Sequence, residues 1–279
     1  MTAVAGGLPR HRLRGGDPCR RQDRDFARLF LRCHASPAYR LFCRRVYGVD
    51  LCQTNVLDRP QLDLLEAALG LRPGERVLDL GSGLGTLAEH LSDRTGARVT
   101  GIDRCAPAVR AARRRTAAKG DRLTFRWGDL RELSAGRGSE DGPWDALLAV
   151  DVLYFLDDLD PVVAAFPGLL AAGGRGVVFA SEVLPEGGRR PPEAEIPAHT
   201  RVGRALARHG FPFAATDVTD REVEVWRRYR EVGDELRGAF EAEGAVDLLE
   251  GRVAEAERTL EWADAGRLRR YMYRFTPSP

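Results

Sequence analysis

The chain has 279 residues, 43% hydrophobic and 30% charged, enough for the core of one elaborated domain or two small ones. No apolar run approaches the roughly 18 residues that cross a bilayer as a helix, and the opening MTAVAGGLPRHRLRGG lacks the apolar stretch of a secretory signal. With 43 basic and 41 acidic residues the net charge is +2, which argues against a nucleic-acid coat or an acidic tail.

Lys119 is the sole lysine, so 42 of the 43 cations are arginine, a bias of the kind GC-rich coding produces. The five cysteines (Cys19, Cys33, Cys43, Cys52 and Cys105) contain no C-x-x-C pair and match no zinc spacing. Reduced thiols in a cytoplasmic protein with no bound metal are the expectation.

Residues 1–22 are rich in Gly, Arg and Pro, lack periodicity and read as a flexible leader. An α-helical cap is expected over 23–71. Phe26, Leu29, Phe30 and Cys33 recur at helical spacing, and Ser36-Pro37 opens a second helix carrying Tyr39, Phe42 and Tyr47. Asp58 N-caps a third helix, which ends at Gly70. Strands at Arg76–Leu80, Arg98–Ile102, Leu123–Trp127, Ala146–Val150 and Gly176–Ser181 then alternate with helices at Thr86–Arg94, Pro107–Ala118 and Pro161–Ala171. That alternation predicts a parallel sheet wound on both sides by helices, with the ligand crevice at the strand C-terminal ends. Thr200–His209 reads as a helix and Phe211–Asp217 as a strand. Two amphipathic helices follow within a lid insertion at about 221–266, and Arg270–Phe275 closes the chain as a strand.

The most informative segment is VLDLGSGLG, residues 77–85. A buried strand ends in Gly81, Gly83 and Gly85, where the backbone can turn sharply and a ligand can approach without a Cβ in the way. Ser82 lies within that turn, and the helix beginning after it turns its amide ends towards the ligand. The spacing is G-x-G-x-G rather than the dinucleotide G-x-G-x-x-G, with Ala88 at the last position. Asp79, two residues before the first glycine, suits an ammonium-bearing ligand without phosphate better than a pyrophosphate. S-adenosylmethionine (SAM) is such a ligand. Asp103, followed by Arg104, ends the next strand where an acid can accept both ribose hydroxyls. Asp129 and Leu130 follow the third strand on the adenine side, and Val150 and Asp151 end the fourth beside the methionine moiety.

The run from about Pro73 to Ser181 resembles the class I SAM-dependent methyltransferases, whose motifs match VLDLGSGLG, VTGIDR, GDL, DALLAVDVLYFL and LLAAGGRGVVF in order. The upstream SPAYRLFCRRVYGVDLCQTNVLDRPQLDLL is similar to the helical preface of bacterial small-molecule members. The resemblance implies an α/β fold with a seven-stranded, doubly wound, mostly parallel sheet in a methyltransferase domain spanning 72–279. Its last strand would insert antiparallel. It also implies that Gln53 reaches the methionine carboxylate.

The cap and the lid insertion are expected to roof the pocket, which favours an enclosed small molecule over a macromolecule. The roof is aromatic; helix core is the competing reading for most of its rings, and Phe30, Tyr47, Trp226 and Tyr229 are the ones expected to face the substrate, by cation–π attraction. Tyr154, just after the fourth strand, is better placed and is expected among the catalytic residues. Glu182 is the first choice of base, with His34, His199 and Asp151 behind it; helix-cap or loop roles are the competing reading for Glu182 and His199. Target motifs of nucleic-acid methyltransferases are absent after the fourth strand. The expectation is therefore SAM-dependent N- or C-methylation of a small molecule in secondary metabolism, by a monomer or homodimer. A dinucleotide-dependent oxidoreductase and a non-catalytic SAM-binding protein are the alternatives.

Overall fold

A computed structural model describes residues 18–135, 142–187 and 192–277. Most of the expected leader lies outside these residues, but its last part does not, because the first helix, α1, already starts at Pro18 and runs to Ala35. Helix α2 (Pro37–Tyr47) is capped by Ser36, whose hydroxyl accepts from the Tyr39 amide, and α3 (Arg59–Leu69) is capped by Asp58 in the same way. Both end at a glycine with positive φ, Gly48 and Gly70.

The alternating region then gives β1 (Arg76–Leu80), α4 (Thr86–Thr95), β2 (Arg98–Asp103), α5 (Ala106–Thr116), β3 (Leu123–Trp127), β4 (Trp144–Val150), α6 (Asp160–Leu169) and β5 (Leu170–Val183). After α7 (Ile196–His199) and α8 (Arg201–Arg208) come β6 (Phe213–Asp217), α9 (Thr219–Ala242), α10 (Val246–Asp264) and β7 (Leu268–Phe275). The seven strands form one sheet in the order β3-β2-β1-β4-β5-β7-β6. The first five are parallel, and β7 lies antiparallel between β5 and β6. This is the seven-stranded, doubly wound sheet that the motif order implied.

Several boundaries differ from the sequence reading, among them β4, which starts at Trp144 rather than Ala146, and β5, which runs from Leu170 to Val183 rather than from Gly176 to Ser181. The helix expected to reach Ala171 stops at Leu169, because Leu170 finds a ladder partner in Trp144 across a bulge in the β4–β5 pairing. Phe211 stays outside β6, and its ring packs against Phe166 and Phe275 as a core residue. Strand β7 starts two residues early, where Leu268 pairs with Val183.

Alternation along the strands builds both faces of the core. Leu78, Leu80, Leu147 and Ala149 face the cluster containing α6 and α8, whereas Val77, Ala146, Leu148 and Val150 face α3, α4 and α5. A third cluster lies outside the sheet, where α2 packs on α9 and α10. Its aromatic centre is Phe42, with edge-on contacts to Tyr229 and Phe240 at 5.1 and 6.2 Å. Helix α1 is tied to this unit by Arg32, paired with Asp247, and the start of α2 by Glu243, which accepts from Ser36 Oγ at 2.5 Å and from the Ala38 amide at 2.7 Å. Chain order reverses beside β1, which has β2 on one side and β4 on the other, and a crevice opens at the C-terminal ends of these strands.

Candidate active site

The turn after β1 is built by its neighbour. The amides of Gly81 and Ser82 both donate to the Ile102 carbonyl, at 2.8 and 3.1 Å, and the Gly83 amide donates to Asp103 Oδ2 at 2.7 Å. Gly81 has φ +77°, and a Cβ there would lie 2.3 Å from Val152 Cγ2, so neither the conformation nor the space admits a side chain. Gly83, at φ +54°, faces the ring of Phe30, 4.0 Å from where its Cβ would be. Turn and cap thus form opposite walls of one cleft.

Asp79 lines that cleft, is 3% exposed, and takes no hydrogen bond from any described residue. Burial, reinforced by the nearby Asp103 carboxylate, pushes its pKa up to about 7. The Asp103 carboxylate is held by two amides, with Oδ1 accepting from Cys105 N at 2.7 Å as Oδ2 accepts from Gly83. Asp129 is bonded by Arg131, which holds its carboxyl below the usual range. Gln53 belongs to the loop between α2 and α3; it accepts from Leu51 N at 3.0 Å and donates to the Leu57 carbonyl at 3.2 Å.

The cleft encloses about 1450 Å³, its open mouth included. Its floor is the ends of β1, β2, β3 and β4, and its cover is α1, the 51–57 loop and α10. An amine-bearing, phosphate-free nucleoside fits this donor set. Asp79 supplies an unpartnered carboxylate, Asp103 an oriented one, and the glycine turn close backbone approach.

A methyltransferase-domain family model matches residues 77–174, the segment that forms the floor. The chain carries a class I SAM-dependent methyltransferase domain. A ubiquinone biosynthesis O-methyltransferase of Xanthomonas campestris is 32% identical over 120 residues, 43% of this chain and 48% of that protein. The chain thus spans about half the length of the curated relatives it matches. Among solved structures, phosphoethanolamine N-methyltransferase 2 of Haemonchus contortus with SAM superposes at a TM-score of 0.70, with 18% identity, over 91% of this chain and 60% of that one. Geranyl diphosphate C-methyltransferase of Streptomyces coelicolor, with Mg2+, geranyl diphosphate and S-adenosylhomocysteine, gives 0.55 at 19% identity, over 80% and 78%.

In this methyltransferase domain Asp79, Gly81, Ser82, Gly83, Asp103, Arg104, Asp129, Leu130, Val150, Asp151 and Gln53 all line the cleft. Gly85 does not. A Cβ there would sit 2.2 Å from the Phe125 ring, so this glycine serves the packing of α4 on the sheet. Phe30 and Tyr154 also line the cleft, and burial raises the Tyr154 phenol well above its ordinary pKa, so it stays protonated.

The other expected residues lie elsewhere. Tyr47 and Tyr229 are fully buried in the third cluster with their hydroxyls bonded to each other, and Trp226 packs beside Tyr229. An amphipathic pattern marks these rings as inward-facing, and the interior they face is that of the cap. Glu182 is bound at the start of α8, accepting from the Arg201 amide at 2.7 Å. It is a helix-capping acid away from the cleft, and burial raises its pKa. His34 is turned into the protein, where burial lowers its pKa, and His199 is an exposed residue of α7; neither lines the cleft.

Asp151 lines the cleft but is not free to act as a base. At φ +53°, it receives Arg270 Nη1 and Nη2 at 2.6 and 2.9 Å and the Val56 amide at 3.2 Å. Arg270 has no exposed surface; it also donates to Gln61 Oε1 at 2.7 Å and Ser181 Oγ at 2.8 Å. Ser181 donates in turn to Glu222, whose other oxygen accepts from Trp226 Nε1 at 3.0 Å. This buried network joins the sheet, α3, α9 and the 51–57 loop. Sequence reasoning missed Arg270, although it stands two residues before buried Met272 on the same face of β7, a position where a charge demands a partner. Arg252 and Glu255 of α10, both lining the cleft, were missed as well.

Proposed function

We propose that the cleft binds SAM and that the protein transfers its methyl group to a small molecule, at nitrogen or carbon, in secondary-metabolite biosynthesis. The observation that carries this reading is Asp79, a buried carboxylate with no hydrogen-bond partner among the described residues, set beside a glycine turn. A pyrophosphate would meet repulsion there, which disfavours a dinucleotide; an ammonium would be held. Asp103 would accept from the ribose hydroxyls, Asp129 and Leu130 would flank the adenine, and Gln53 would approach the methionine carboxylate.

SAM supplies a methyl group already activated on a sulfonium. What remains for the chain is to bring a nucleophile within about 3–3.5 Å in line with the carbon–sulfur bond and to exclude water. Helix α1 and the 51–57 loop serve that end by walling the cleft with Phe26, Phe30 and Leu51. An acceptor small enough to fit beneath this cover is favoured over a macromolecule.

The test is incubation of the full chain with methyl-labelled SAM and fractionated metabolites of a secondary-metabolite-producing bacterium. Label is expected in a small-molecule fraction, at N or C by mass spectrometry, and lost with Asp103→Ala. Transfer to oxygen, the chemistry named for the Xanthomonas relative, would overturn the N/C assignment. No transfer to any fraction by a SAM-binding protein would count against catalysis.

A further inference from the structure

The cover of the cleft carries one carboxylate, and its surroundings point to a class of acceptor. Among the described residues five acids line the cleft: Asp79, Asp103, Asp129, Asp151 and Glu255. The first three stand on the cofactor side at the ends of β1, β2 and β3, and Asp151 is closed off by Arg270. Glu255 alone comes from the cover.

Its neighbour Arg252, one turn earlier on α10, donates to Glu255 Oε2 at 2.8 Å, to the Thr54 carbonyl at 2.6 Å and to Tyr39 Oη at 3.3 and 3.4 Å. The guanidinium is thus committed to the cap and poorly placed to seize an anionic acceptor. It holds Glu255 in position through one oxygen, while Oε1 takes no hydrogen bond from any described residue. The same cleft has an aromatic wall. Phe26 meets Phe155 edge-on at 5.3 Å and lies 5.7 Å from Phe30, and Tyr154 lies 4.5 Å from Phe155. A fixed carboxylate oxygen and π-faces in one enclosure both favour positive charge.

We propose that Glu255 is an acceptor-binding residue and that the acceptor is an amine on an aryl-sized apolar body. This rests on the SAM reading above and narrows it to nitrogen. Glu255 accepts a hydrogen bond from the amine N–H. The nitrogen lone pair forms the new bond to the methyl carbon as the carbon–sulfur bond breaks with its electrons on sulfur. Charge thereby moves from sulfur to nitrogen, beside Glu255 and the rings, and the surplus proton leaves to solvent.

The test is calorimetry on the full chain saturated with S-adenosylhomocysteine, titrated with phenethylamine or its neutral analogue 2-phenylethanol. Phenethylamine is expected to bind at least tenfold more tightly than 2-phenylethanol. Glu255→Gln should remove that preference while leaving S-adenosylhomocysteine affinity unchanged, and Glu255→Asp, which keeps the charge, should retain part of it. Equal affinity of the two probes, no binding of the amine, or a preference that survives in Glu255→Gln would overturn the proposal. Should Glu255→Gln fail to fold, the wild-type ratio and Glu255→Asp decide. Failure of S-adenosylhomocysteine to bind would refute the SAM reading itself, and the two failures are read in separate titrations.

Discussion

Asp79 makes cofactor affinity depend on pH with a definite sign. Its pKa in the free protein is about 7, raised by burial and by Asp103, against about 3.9 for an unperturbed Asp. A cationic ligand needs the ionised form. The ionised fraction is about 9% at pH 6 and about 76% at pH 7.5, so, with part of the ligand's amine already deprotonated at pH 7.5, the dissociation constant for SAM should fall roughly five- to sixfold over that interval. The ligand's own α-amino group, which titrates at about 7.7–8.0, limits the gain at higher pH. Stability runs the other way. The folded chain binds more protons than the unfolded chain between about pH 4 and 7, so unfolding free energy falls as pH rises through that window, by at most about 4 kcal/mol from this group. Asp79→Asn should therefore weaken SAM binding, flatten its pH dependence and stabilise the free protein at pH 8. Calorimetry at pH 6, 7 and 7.5 and urea denaturation at pH 6, 7 and 8 give both quantities. A wild-type affinity constant over this range, or an equal slope in Asp79→Asn, would refute the reasoning.

Arg270→Met leaves Asp151 charged and buried without its partner, a loss of about 3–5 kcal/mol that denaturant titration would measure. The glycines of the turn should differ. Gly81→Ala places a Cβ against Val152 and should cost more stability than Gly83→Ala, where the nearest side chain is 4.0 Å away and the strain at positive φ, about 1–2 kcal/mol, is the main penalty. Melting curves of the two variants compare them. Glu182→Gln should leave methyl transfer unchanged across pH and lower stability by about 1 kcal/mol through its weakened hold on the Arg201 amide; a pH-dependent rate loss would restore Glu182 as a base.

The floor of the cleft was legible because its signals are local. A buried strand, a glycine turn and an acid at a strand end are each written in consecutive residues, and a parallel sheet carries those ends to one edge. The cover was less legible. Periodicity shows that Tyr47, Trp226 and Tyr229 face inwards, but two interiors were available, the cleft and the cap's own core, and only the packing of α2 on α9 and α10 chooses between them. Glu182 lies just after the buried run of β5, yet its side chain falls on the face occupied by α8. Arg252 was readable in principle. It lies three residues after Leu249 and four before Ala256, a charge on the apolar face of an amphipathic helix. Which groups outside its own helix receive its hydrogen bonds, the Tyr39 hydroxyl and the Thr54 carbonyl from the cap, is a tertiary fact.

The most direct measurement of the central claim is a calorimetric titration of the full chain with SAM and, separately, with NADH. Saturable binding of one SAM per chain is expected, with no binding of NADH and with an Asp103→Ala variant that folds but binds SAM at least tenfold more weakly, since the ribose hydroxyls lose charged acceptors at about 1.5–3 kcal/mol per bond. Binding of NADH in place of SAM, or an unchanged SAM affinity in Asp103→Ala, would contradict the claim.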